Sequence, residues 1–306
     1  MKIAITGGAG FIGSHIADSY IAAGHDVVIL DNFSSGKREN VNELARVIEA
    51  DITSADIDLI FKNEKFDVVN HHAAQIDVRV SVNNPQLDAK LNILGGINVY
   101  ETAAKYKVKK IIFASSGGTV YGEQTEFPAT ETHPTNPCSP YGIAKLVNEH
   151  YLFYYKKQYG VDYVALRYGN VYGPRQNPHG EAGVVAIFAS KLLEGLQPII
   201  NGKGKQTRDY VYVTDVARAN VLALREHAHG IYNVGTGEEV DVNTIFRKLR
   251  DTVNPQCEEI HGEAKSGEQQ RSVISYQKIY DELGWKPQMD FTAGLKQTIG
   301  FFYQQI

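Results

Sequence analysis

The chain has 306 residues, with 31 Lys and Arg against 35 Asp and Glu for a formal net charge of −4. That length exceeds what one hydrophobic core organises, so a main domain with a second lobe is expected. Basic residues never run beyond pairs such as Lys109–Lys110 and Lys156–Lys157, which argues against a nucleic-acid or anionic-membrane footprint. The two cysteines, Cys138 and Cys257, lie far apart and outside any CxxC or Cys/His spacing, so neither a disulfide framework nor a metal site is expected. No stretch approaches the roughly 18 apolar residues of a membrane span. The first apolar run, Ile3–Ile5, is strand-length and cut by glycines rather than leader-like, and a cytoplasmic setting with no membrane partner is expected.

Read in chain order, short β-rich runs alternate with longer helical patterns. The runs are KIAIT (2–6), DVVILD (26–31), FDVVNHHAA (66–74), KKIIFASS (109–116) and VDYVALRYG (161–169), with IYNVGT (231–236) further on. Residues 11–23, 85–107 and 140–158 read as helices, the last with Ser139 placed to cap it and Pro140 at its first position. This alternation predicts an α/β fold: a Rossmann-type doubly wound parallel sheet of six or seven strands, covered on both faces. After about Gly173 the pattern changes to Pro/Gly-rich loops, GPRQNPHGEAG and QPIINGKGKQ, which predicts a smaller, mainly C-terminal lobe. The expected division sets 1–173, with 206–238 returning to it, against 174–205 and 239–306.

In TGGAGFIG the glycines recur as Gly7, Gly10 and Gly13 between a strand and a helix. Glycines in that context permit a tight turn, close approach of a pyrophosphate and close helix–strand packing, and the helix N-terminus offers free N–H groups to the phosphates. Asp31 closes the next strand. A carboxylate there accepts hydrogen bonds from the adenosine ribose and repels a 2′-phosphate, so NAD rather than NADP is expected. Asp51, in EADIT after the third strand, stands where an adenine amino group can be read or where a turn simply needs an aspartate.

SPYGIAK puts Tyr141 and Lys145 four residues apart, hence on one helical face. A phenol is a poor base at neutral pH, and a neighbouring ammonium with the positive end of the helix would favour phenolate. Ser115 and Ser116 end the strand beside them.

With TGGAGFIG, DNFSSG, NHHAAQ, SSGGTVYGE, SPYGIAK, RYGNVYGPRQNPHGEAGVVAIF, RDYVYVTDVARA and LGWKP in this order, the chain resembles the extended short-chain dehydrogenase/reductase family over essentially its whole length. Within that family it is most similar to the UDP-hexose 4-epimerases. The resemblance implies a tightly held NAD and a UDP-sugar substrate. Tyr141 would take the proton from the 4′-hydroxyl as hydride leaves C4, and the hydride would return to the other face of the 4-keto sugar, interconverting UDP-glucose and UDP-galactose. Lys145 would hold the nicotinamide ribose and keep Tyr141 anionic.

By the same resemblance Phe11, Ile12, Asn32, Ser35, Gly36, Ile52, Asn92, Ser115 and Tyr168 would join the cofactor site. His72, Ala73, Ala74 and Gln75 would line its strand-end loop. The substrate side would comprise Asn170, Val184, Val185, Arg208, Lys265, Glu268 and Ser272, with Arg208 suited to the diphosphate.

Two places depart from the family pattern. Gly117 stands where a third serine is common, so the hydroxyl at the 4′-oxygen falls to Ser116, Thr119 or Ser115. Lys265 replaces a frequent arginine, keeping the charge without the bidentate fork. Ser272 occupies a gatekeeper place where a small residue would admit UDP-N-acetylhexosamines; a one-residue slip would put Arg271 there and favour a uronic acid. The tandem His71 and His72 read as cofactor-lining rather than metal-binding.

A dehydratase would need an Asp-Glu pair where Gly117, Gly118 and Thr119 stand. A decarboxylase and a non-catalytic NAD sensor remain as alternatives. Helices 85–107 and 140–158, with Tyr151, Phe153, Tyr154 and Tyr155, resemble a homodimer face.

Overall fold

The computed structural model describes residues 1–178, 183–264 and 269–305. The first half runs β1 (Lys2–Thr6), α1 (Phe11–Ala22), β2 (Asp26–Asp31), β3 (Arg46–Glu49), α2 (Asp56–Glu64), β4 (Val68–His71), α3 (Val78–Asn83) and α4 (Pro85–Asp88). A π-helical turn, Ala89–Leu94, leads into α5 (Gly95–Lys105), β5 (Lys110–Ser116), α6 (Pro140–Tyr159), β6 (Asp162–Tyr168) and β7 (Asn170–Tyr172). Then come α7 (Val184–Leu193), β8 (Ile199–Asn201), β9 (Thr207–Arg208), β10 (Tyr210–Tyr212), α8 (Val213–Ala223) and β11 (Gly230–Val234). The chain closes with β12 (Val240–Asp241), α9 (Val242–Val253), β13 (Ile260–Gly262), β14 (Arg271–Ser272), α10 (Gln277–Leu283) and α11 (Phe291–Tyr303).

Seven of these strands form one parallel sheet in the order β11-β6-β5-β4-β1-β2-β3. Their side chains divide by the two-residue period of a strand. Ile3, Ile5, Val27, Ile29, Ile112, Val164 and Leu166 bury one face in a core with α1 and α8. Ala4, Val28, Leu30, Ile111, Phe113 and Ala165 bury the other against α2, α5 and α6. Burial on both faces explains why the strands read as unbroken apolar runs. The chain winds outward from β1 through β2 to β3, then returns to β4 on the other side of β1. The C-terminal ends of β1 and β4 therefore flank the point where strand order reverses, which is where ligands bind in open α/β sheets.

A separate core gathers Phe188 and Leu192 of α7, Ile245, Phe246 and Leu249 of α9, and Leu295 and Phe302 of α11. Three small sheets, β7–β10, β12–β9–β14 and β8–β13, connect this lobe to the large one. The expected assignment of all of 239–306 to the smaller lobe differs from the structure at α10. Ile279, Leu283 and Trp285 pack into the core of the large sheet, and the Trp285 indole N–H donates to the Asp215 carbonyl at 2.9 Å. An apolar ring of that size is stable where it finds the deepest core together with an acceptor.

The helix expected over 85–107 is broken by the π-helical turn. Asn148 of α6 donates its Nδ2 to the Asn92 carbonyl at 3.0 Å, and a Cβ on Gly96 would lie 2.3 Å from Asn148 Oδ1. The widened turn and the bare glycine thus let α6 approach closely.

Deep under the sheet's C-terminal edge, Glu149 of α6 and Arg167 of β6 form a fully enclosed pair, Nη2–Oε2 2.6 Å and Nε–Oε1 2.9 Å. Arg167 also donates to the Tyr121 hydroxyl at 3.0 Å. Removing one partner leaves an uncompensated buried charge, so Glu149→Ala should cost about 3–5 kcal/mol by denaturant unfolding. Glu49→Ala, which breaks the exposed Arg38 pair, should cost under about 1 kcal/mol.

Candidate active site

The glycine loop is built by two close approaches. Gly7 has φ +70°, and a Cβ there would lie 2.7 Å from the Ala73 nitrogen; a Cβ on Gly13 would lie 2.3 Å from the Gly7 carbonyl oxygen. The first residues of α1, Phe11 and Ile12, follow Gly10 without any side-chain cap, so their N–H groups are available to an anion. Asp31 is buried, its Oδ2 accepting from Ala9 N–H and its Oδ1 from Phe33 N–H, both at 2.9 Å. A Cβ on Gly36 would sit 2.9 Å from either carboxylate oxygen, so a glycine is what fits against Asp31. Ser35 lies exposed beside it.

Asn32 donates to Asp51 Oδ2 at 3.0 Å, while Asp51 Oδ1 accepts from the Thr53 backbone and hydroxyl at 2.8 and 2.7 Å. Those Thr53 bonds hold Asp51 below the usual carboxylate range. Ile52 next to it is buried. This set of donors, one accessible acid and a cradle that any Cβ would fill fits an adenosine diphosphate moiety such as NAD carries.

At the ends of β1 and β4, Thr6 Oγ1 bonds His71 Nδ1 at 2.7 Å and accepts from the His72 and Ala73 N–H groups, both at 3.2 Å. His72 Nε2 lies 3.1 Å from the Tyr168 hydroxyl with the two rings stacked, and Asn220 donates to the same hydroxyl at 2.9 Å. Burial pulls both histidines down, His71 to about 3, so both are neutral. Among the described residues no cluster of three His, Cys, Asp or Glu is arranged to hold a metal ion.

Ala74 leads into Gln75, whose N–H donates to Asn92 Oδ1 at 2.8 Å while Asn92 Nδ2 returns to the Gln75 carbonyl at 2.9 Å. Asn92, expected to contact cofactor, spends its amide on holding this loop.

Ser139 caps α6 through the Gly142 N–H at 3.1 Å, with Pro140 at the first position. That helix aims Tyr141 and Lys145 at the end of β5. Lys145 Nζ donates to the Ala114 carbonyl at 2.8 Å and lies 5.5 Å from the Tyr141 ring centre. Ser116 stands near the Tyr141 phenol, and its side chain favours the ionised form.

Burial raises the Tyr141 pKa above that of a free phenol; the Asp88 charge adds to this and the Ser116 contact opposes it. Burial also lowers Lys145, to about 8, against the pull of Asp88. Desolvation thus opposes the phenolate that the helix position and Lys145 are expected to favour.

The three candidate hydroxyls separate. Ser115 turns its hydroxyl into the core and donates to Glu149, which removes it from the candidates for the 4′-oxygen. Ser116 stands near the phenol, and Thr119 Oγ1 is buried without a partner. The absent third serine has a physical reason, since a Cβ on Gly117 would lie 2.7 Å from Ile274 Cδ1. Gly118, by contrast, has room for a Cβ, which would make ordinary contacts with Asn170 Oδ1 at 3.5 Å and Ser116 Oγ at 3.9 Å.

On the other lobe, Asn170 is exposed at the start of β7. Val184 and Val185 open α7 without a side-chain cap, although the Val185 side chain packs in the lobe core. Arg208 pairs in register with Ser272 across β9 and β14 and makes no ion pair among the described residues. Ser272 is buried, whereas Arg271 points away, bonded to Glu239 at 3.0 and 2.8 Å and stacked 3.8 Å over Phe127. Serine, not arginine, thus lies on the inner side of this strand. Lys265 and Glu268 lie outside the described residues.

Sequence reasoning missed Glu149 and Asp88. Glu149 continues the Tyr141–Lys145 stripe by one more turn, a spacing that could have found it.

An acid–base pair beside a dinucleotide cradle handles protons on alcohols and ketones, and it defines a dinucleotide-dependent enzyme. The model of the NAD dependent epimerase/dehydratase family matches residues 3–235, and the chain belongs to that family. UDP-glucose 4-epimerase of Thermotoga maritima, solved with UDP-glucose, superposes with a TM-score of 0.97 at 45% identity, covering 100% of this chain and 99% of that one. UDP-glucose 4-epimerase of Thermus thermophilus, solved with NAD, gives 0.94 at 43% identity with both chains covered completely. UDP-N-acetylglucosamine 4-epimerase of Methanobrevibacter ruminantium, solved with UDP-N-acetylmuramic acid, gives 0.94 at 36% identity over 100% of this chain and 99% of that one.

Gly13→Ala forces a contact that backbone cannot yield cheaply. The purified variant should retain less than about a tenth of the wild-type NAD content, roughly 1.4 kcal/mol in binding, as read by cofactor release on denaturation.

Proposed function

We propose that the protein is a UDP-hexose 4-epimerase interconverting UDP-glucose and UDP-galactose. The observation that carries this reading is the placement of Tyr141 and Lys145 on one face of α6, 5.5 Å from ring centre to Nζ, at the sheet's C-terminal edge. Bound NAD would supply the reversible oxidation at C4. Tyr141 moves the proton at the 4′-oxygen, and Ser116 holds that oxygen. Lys145 contributes the positive charge that stabilises the phenolate during transfer. The neutral His71 and His72 add no competing charge, and bare Gly118 leaves room for a ring that must present both faces. Gly117, Gly118 and Thr119 provide no carboxylate for water elimination, which weighs against a dehydratase.

The single test is turnover of a panel of UDP-hexoses by the NAD-loaded protein, with epimers resolved by proton NMR. Tyr141→Phe should lower kcat by about 10²–10⁴-fold without unfolding the protein. Ser116→Ala should lower it by at least roughly tenfold, about 1.4 kcal/mol of barrier, and more than Thr119→Val does. A small residue at Ser272 supports acceptance of UDP-N-acetylhexosamines as well; Ser272→Tyr should abolish that activity while sparing UDP-glucose.

A cytoplasmic setting belongs to the same reading, as the place where a nucleotide-sugar enzyme would meet its substrate and NAD. No helix among the described residues is long and apolar enough to cross a membrane. A homodimer is part of the same proposal. Ile143, Phe153 and Tyr154 on α6, with Val78, Val82 and Leu87 on α3 and α4, leave an apolar face exposed. Tyr155 of the expected face instead packs inside against Tyr100. Tyr154→Glu should shift the sedimentation coefficient from dimer to monomer.

A further inference from the structure

Asp88 is a buried acid that the reaction described above does not use. It ends α4 with 1% of its surface exposed. Its Oδ1 accepts from Gln75 Nε2 at 3.0 Å and Asn92 Nδ2 at 2.9 Å, two neutral amides, and no Lys, Arg or His lies within ion-pair distance among the described residues. Burial pushes the Asp88 carboxyl up towards its protonated form, so its ionised form needs a positive charge beside the two amides, and the Lys145 ammonium acts in that sense.

The register of the helices identifies that charge. Asn92 lies one turn beyond Asp88, and its carbonyl is bonded by Asn148, which lies one turn beyond Lys145. Further along, Tyr100 packs on Tyr155, so the two segments run side by side in the same direction, which carries Asp88 towards the Tyr141–Lys145 turn. Other charged groups near α4 do not pair with Asp88. Arg79 of α3 is paired with Asp77, and Lys90 of the π-helical turn makes no ion pair with Asp88. His71 and His72 of β4 are neutral. Lys145 has the complementary need, since it is buried and bonded to a carbonyl, over the Phe113 ring.

We propose that Asp88 is the counter-charge of Lys145, a positioning residue that keeps the ammonium ionised beside Tyr141 through the field inside the closed site. This rests on reading Tyr141 and Lys145 as the proton-handling pair. The same negative charge opposes ionisation of Tyr141, so Asp88 favours the state in which lysine is charged and tyrosine is not. The direction of both shifts agrees with this placement.

The experiment compares wild type with Asp88→Asn, which preserves shape and still accepts from Gln75 and Asn92. Lys145 is titrated by NMR in protein carrying 13C at the lysine ε-carbons, with Lys145→Met to assign its signal. Removing a negative charge makes the ammonium less stable, so the variant should release the Lys145 proton about one pH unit lower than wild type. In the NAD-loaded enzyme the kcat–pH profile should move to lower pH in the same sense, because the phenol also ionises more easily. An unchanged Lys145 titration in a folded variant overturns the proposal, whatever happens to kcat. Asp88→Ser makes the same test where the asparagine variant does not fold. A wild-type protein that turns over no UDP-hexose would sink the epimerase reading, whereas the NMR titration would still decide the role of Asp88.

Discussion

One hydroxyl ties together the place where everything meets. Thr6 ends β1 fully buried, bonds the His71 ring and receives the N–H groups of His72 and Ala73 as the chain leaves β4. Because β1 pairs with β2 on one side and β4 on the other, this contact bridges the two strand ends that the reversal of strand order sets apart. Gly7 can lie against Ala73 only because that exit is held still, and α1 then starts where a phosphate needs its N–H groups. A valine here would fit the strand and lose the junction.

Burial works on the reactive pair in a consistent direction. Low dielectric penalises both the phenolate and the ammonium, raising the pKa of Tyr141 and lowering that of Lys145. Rigidity around the pair comes from the Glu149–Arg167 pair, which fastens α6 to β5 and β6 one turn below Lys145.

Much of this is legible in the residues because the signals are local. Alternating apolar runs mark the strands, Ser139 and Pro140 mark the start of α6, and the glycine spacing marks the loop at β1. What is not legible depends on partners distant in sequence. The π-helical turn answers Asn148, the inward rotation of Ser115 answers Glu149, and the depth of Trp285 answers Asp215. The ionisation of Tyr141 depends on burial as well as on charge, and spacing reveals a neighbouring charge but not how much water has been removed around it.

At the two-residue strand β14, register decides what lines the interior. It is pinned to β9 in parallel register, and its side chains alternate, so Ser272 lines the interior while Arg271 is spent on Glu239 and Phe127. A single-residue deletion or insertion in the connection before it would exchange the two without altering the strand's own sequence. The interior would then acquire a guanidinium beside that of Arg208, so the length of the connection before β14 decides which of the two side chains faces inward.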